Sequence, residues 1–112
     1  MSSLDPDIAG QLAEDLPPEA FAAVLETFAA DAVRLLGDLE AAHRAEDAKA
    51  FARAAHTLAG AAGAVGAREL ELLARRAMDE AGEADREVIL SLAGIHARRA
   101  IAELRGMIRP GA

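Results

Sequence analysis

A chain of 112 residues, 53% of them apolar and none of them cysteine, holds one buried core and forms no disulfide or thiolate site. Its net charge of −7 argues against non-specific nucleic-acid binding, which needs a basic surface to displace counterions. No apolar run approaches a membrane span and Met1–Leu4 does not open like a secretory leader, so the expected location is the cytoplasm.

Alanine dominates the apolar fraction and the only aromatics are three phenylalanines, a composition suited to closely packed helices rather than a sheet. In residues 1–16, Leu4, Ile8 and Leu12 recur at i, i+4, i+8, which predicts a short amphipathic helix over one end of the core. Pro17-Pro18 stops that segment and starts the next, where a missing N–H costs nothing. A long helix then runs to about Arg44 on a stripe of Phe21, Val24 or Leu25, Phe28, Ala32, Leu35 and Leu39.

Asp47 is a fitting N-cap for a second long helix, Ala48 to about Gly63. Its inward stripe is Phe51, Ala54 or Ala55, Leu58, Ala62 and Val65. The stretch from Gly63 to Gly66 ends or turns that helix. A third helix is predicted from about Ala67 to Ala81, with Leu70, Leu73, Ala74, Ala77 and Met78 inward, Gly82 at C′ and Glu83–Asp85 as a polar connection. The last helix, Arg86 to Ile108, starts its stripe with Val88, Leu92 and Ile95 and finishes it with Ile101, Leu104 and Ile108, with Gly94 marking a bend or a close helix contact. The expected fold is all-α: an antiparallel up-down four-helix bundle over 18–108 with a short extra N-terminal helix, one domain over 1–112.

One position does not fit a plain bundle. At about 100° per residue, His56 lies roughly 160° around the helix from Leu58 and points to solvent. Its neighbours at i±3, i±4 and i±7 are Lys49, Ala52, Arg53, Ala59, Gly60 and Gly63, so the imidazole stands over a strip of small residues with two cations on its N-terminal side. Each glycine inside a helix costs up to about 1 kcal/mol relative to alanine, and backbone access beside the ring would repay that cost. Imidazole titrates close to neutral pH, so an exposed ring has a neutral form able to attack an activated phosphoryl group. The bland alternative is a solvated surface histidine, with Gly60 and Gly63 serving helix packing and Lys49 and Arg53 as ordinary surface charges. His43 and His96 lie on other predicted helices with no metal-ligand spacing between them, and no phosphate-binding glycine loop for ATP is present.

The run His56-Thr57-Leu58-Ala59-Gly60-Ala61-Ala62-Gly63-Ala64-Val65-Gly66-Ala67 resembles the signature of the histidine phosphotransfer (HPt) domain family. His56, Leu58, Gly60, Ala61, Ala62 and Gly66 match at the family's spacing, flanked by Asp47 and Phe51 before and by Leu70, Leu73 and Met78-Asp79 after. The likeness extends from about Pro18 onward. It implies a phosphocarrier without an ATP site. His56 would take a phosphoryl group from a sensor or hybrid histidine kinase or a receiver aspartate, and pass it to the aspartate of a response-regulator receiver. The carrier itself needs no cofactor, Mg²⁺ being expected on the receiver, and it is expected to act as a monomer without nucleic acid or membrane. The family usually carries lysine three residues after the histidine, where this chain has Ala59; Arg53, Lys49 or the receiver itself would supply the charge instead. Ala52, Gly63 and Leu72 are expected at the docking face, although Leu72 also reads as a peripheral core residue. A second reading keeps the docking and drops the phosphorylation; a third is a purely structural bundle, which leaves Gly60 and Gly63 unexplained.

Overall fold

Aspartate and proline set the helix starts. In the computed structural model, which describes residues 3–79 and 83–108, α1 (Pro6–Asp15) begins under Asp5, whose carboxylate accepts from the N–H groups of Asp7 and Ile8 at 3.0 and 3.4 Å. Pro18 opens α2 (Pro18–Arg44), and Asp47 caps α3 (Ala48–Ala64) by accepting from the Ala50 N–H at 3.0 Å. Helices α4 (Arg68–Met78) and α5 (Glu83–Gly106) complete the chain. All five elements are helices, and no strand occurs among the described residues.

The α2–α3 and α3–α4 connections close in the same way. After α2, Glu46 takes φ 55, its N–H donates to the His43 carbonyl, and the Asp47 N–H donates to that of Ala42. Following α3, Gly66 takes φ 74, with Gly66 N–H to Gly63 and Ala67 N–H to Ala62. These are paired bonds of the Schellman type, which turn the chain sharply and satisfy the last carbonyls. At Gly66 the glycine has two reasons to be there. Its φ is left-handed, and a Cβ would stand 3.0 Å from the Ala9 nitrogen and 3.1 Å from the Ile8 Cβ.

Helix α3 packs on α2 and α4, and α5 packs on α4 and α2, so the contacts run in a ring. The core lies inside it: Phe21, Leu25, Phe28, Leu35 and Leu39 from α2, Phe51 and Leu58 from α3, Leu70 from α4, Ile89 and Leu104 from α5, with alanines between them. Of the alternatives in the sequence, Leu25 and Ala55 are fully buried while Val24 and Ala54 are only partly so. The N-terminal segment lies against the α3–α4 turn. Its Asp5 N–H donates to the Gly66 carbonyl at 2.7 Å, and buried Ser3 reaches α5 through its hydroxyl, 3.0 Å from His96 Nδ1, and its N–H, 3.2 Å from both Glu103 carboxylate oxygens.

Several expectations need correction. In α1 the buried residue is Ala9, and Ile8 is exposed, because the small side chain fits the close approach to Gly66. Helix α4 ends at Met78 instead of Ala81, since Asp79 is extended (ψ 154) and aspartate competes with the helix through its own side chain. Ala81 and Gly82 lie outside the described residues. The expected connection Glu83–Asp85 is the first turn of α5, where acidic residue types suit the positive helix end. That helix ends at Gly106, short of the expected Ile108. Its buried stripe is Ile89, Ala93, Ala97, Ala100 and Leu104, whereas Val88 and Ile95 are exposed and Leu92, Ile101 and Ile108 half-buried. Alanines face inward because they let helix axes come close, which pushes the bulkier neighbours out. Gly94 meets no other helix; it faces an open groove between α2 and α5.

Candidate functional site

Phe51, Ala55, Leu58 and Ala62 anchor one side of α3 in the core, which turns His56 outward on the opposite side. The His56 ring is exposed and makes no hydrogen bond or ion pair among the described residues. Lys49 and Arg53 are exposed on the same side, also without an ion pair there. Arg53 borders a shallow groove shared with Arg34 and Asp38 of α2, so it flanks His56 from the α2 side. The hydroxyl of Thr57 donates to the Arg53 carbonyl at 3.2 Å, which ties it to the helix backbone.

Gly60, one turn beyond His56, is exposed, and a Cβ there would meet nothing within 4 Å. The rest of the expected bare strip is covered to differing degrees. Ala59 is 3% exposed, Ala52 and Gly63 are half-buried, and a Cβ on Gly63 would stand 3.2–3.3 Å from the Glu71 carboxylate of α4. Helix α4 therefore covers one flank of the face, and Gly63 is a packing glycine rather than open surface. The open ground beside His56 narrows to Gly60 and the α2 flank.

Across that covered flank, Glu71 accepts from Arg75 at 2.7 Å (Nη2) and 3.1 Å (Nε). Neither residue marks itself in the sequence as part of a site. Their i, i+4 spacing was visible, but only the packing of α3 on α4 puts the pair over Gly63. Leu72, next to Glu71, is 48% exposed, between the exposed arginines Arg68 and Arg76 one turn to either side.

The other two histidines are engaged within the fold. His43 lies against Phe51, ring centroids 6.5 Å apart, with Nε2 3.7 Å from Glu87 and Nδ1 buried without a partner. His96 is held by Ser3. Of the three, His56 alone joins an exposed ring to an open approach, the arrangement a nucleophile needs when its reaction partner is delivered by another protein.

A family model, the Hpt domain, matches residues 23–108, from within α2 to just past the end of α5. No curated protein and no solved structure matches the chain significantly. Hpt domains are phosphocarrier modules that serve histidine phosphotransfer in phosphorelays and interact with receiver domains and kinases. With most of its length matched, this chain belongs to the Hpt domain family.

Proposed function

We propose that His56 is the phosphoryl carrier of this domain, exchanging the group with the aspartate of a response-regulator receiver or with a sensor or hybrid kinase. The observation that carries the reading is the free, exposed His56 ring beside Gly60 within the span of the family match. In the acceptance step the Nε2 lone pair of the neutral ring attacks the phosphorus of an aspartyl phosphate. An N–P bond forms, the P–O bond to the aspartate breaks, and the carboxylate leaves with the electron pair. Nδ1 keeps its proton, and donation to a second receiver reverses the step. Such transfers need positioning and charge neutralisation more than covalent help from the carrier. The partner's acidic pocket and its Mg²⁺ supply the metal chemistry, so this chain needs no cofactor of its own.

Charge placement supports an acidic partner. Helices α3 and α4 carry Lys49, Arg53, Arg68, Arg75 and Arg76 against only Glu69 and Glu71, although the whole chain has a net charge of −7. A basic face on an acidic protein orients an approaching acidic pocket toward His56. Gly60, Ala52 and Leu72 form the docking ground in this reading, with Arg53 and Lys49 beside the phosphate.

The ring of helix contacts supports an antiparallel up-down bundle; in this reading it is one domain over 1–112 and acts as a monomer. No helix among the described residues is long and apolar enough to cross a membrane, in keeping with a cytoplasmic role. A second reading, docking without phosphorylation, draws on Ala59, which leaves the position usually held by lysine as a buried methyl. One experiment separates the two. The protein is mixed with a panel of phosphorylated receivers and autophosphorylated hybrid kinases, and acid-labile label is followed onto and off it. A carrier gains label and passes it on, whereas a docking module binds and stays unlabelled.

A further inference from the structure

The α3 side of the site offers no cation C-terminal to His56. Ala59, Gly60 and Gly63 have no charge to give, and Arg53 and Lys49 lie toward the other end of the helix. Helix α4 fills that gap. Residues 65–67 are the whole connection between α3 and α4, so the two helices run antiparallel as a hairpin. The Glu71 carboxylate lies over Gly63, in agreement with the register that this short connection sets. One turn forward on α4, from Glu71 to Arg75, is therefore one turn back on α3, from Gly63 to Ala59. Arg75 leaves α4 level with a residue only three positions from His56, about 4.5 Å along the axis.

At rest its guanidinium turns the other way, onto Glu71. That pair is lopsided: the Glu71 side chain is 25% exposed and lies on Gly63, whereas that of Arg75 is 59% exposed and free to swing. On the flank of α3 that α4 covers, the positions between Arg75 and His56 are Ala59, Ala52 and Gly63, none with a side chain longer than a methyl to stand in the way. A phosphoryl group carries more negative charge than a carboxylate and three strong acceptor oxygens, and arginine matches it with two parallel donors.

We propose that Arg75 is the cation that steadies the phosphoryl group on His56, exchanging Glu71 for it when the carrier is loaded. Glu71 is then a positioning residue, which parks the guanidinium near the site while His56 is empty. This inference rests on His56 being the carrier.

The test uses the full chain loaded with phosphoramidate, a small phosphoryl donor that needs no partner protein, and follows the ³¹P resonance of the phosphohistidine against pH. A neighbouring cation favours the dianion and lowers the titration midpoint. Arg75→Ala is expected to raise that midpoint by about 0.2–0.7 pH unit at low salt. Arg76→Ala, with the same charge change about 100° further around α4, is expected to move it less, and Glu71→Gln to lower it. The Arg75 effect shrinks as salt is added, because the site is exposed. Equal shifts for Arg75→Ala and Arg76→Ala, or none for either, would overturn the role of Arg75 while leaving His56 as carrier. Failure of His56 to load, from phosphoramidate and from every receiver and kinase tried, would overturn both.

Discussion

At the scale of single residues, the site depends on one side chain being present and another being absent. His56 makes no contact that the fold needs, so His56→Gln should remove phosphoryl acceptance while changing stability by no more than about 0.5 kcal/mol. Label incorporation and a thermal melt on the same sample check both halves. Gly60 makes a sharper case. Because a Cβ there meets nothing within 4 Å, Gly60→Gln is sterically free within the chain and gains helix propensity, up to about 1 kcal/mol. A stability equal to or above the parent's, together with slower transfer to a receiver, identifies Gly60 as clearance for the partner. Unchanged transfer would reduce it to a tolerated surface glycine. Both residues could be read from helical angle and family spacing. The covering of Ala59 and Gly63 could not, because helical periodicity says which way a residue points and not how closely a second helix approaches from the side.

Among the elements, legibility follows how strongly a local signal fixes the backbone. Asp47 marked the start of α3, and Pro18 that of α2, because a cap or a fixed φ acts within one turn. The α2 stripe was plain because its inward positions hold Phe21, Leu25, Phe28, Leu35 and Leu39. Helix α5 misled, since its inward positions are mostly alanine while Val88 and Ile95 face out; side-chain size pointed to the wrong face. The corrected stripe makes opposite predictions for two apolar sites. Ala97→Leu forces bulk into a position 2% exposed and should destabilise by about 1–3 kcal/mol. Val88→Ala removes a larger side chain that is 55% exposed and should change stability by less than about 0.5 kcal/mol. Chemical denaturation of the two variants decides the matter, and the reverse order would restore the stripe expected from the sequence. The tie from Ser3 to His96 and Glu103 spans nearly the whole chain, and nothing local in the sequence announces it.

For the whole molecule, an acidic chain, a basic α3–α4 face and one exposed histidine together suit the proposed carrier, which would meet its partners through that face. Everything in that proposal turns on which atom is phosphorylated. The most direct measurement is to load the protein from a phosphorylated receiver and locate the group by NMR of the histidine rings, with His43 and His96 as internal controls. The expected result is a single acid-labile phosphoryl group on His56, no loading of the His56→Gln variant, and unshifted rings at His43 and His96. A phosphoryl group on His43 or His96, or loading that survives His56→Gln, would contradict it.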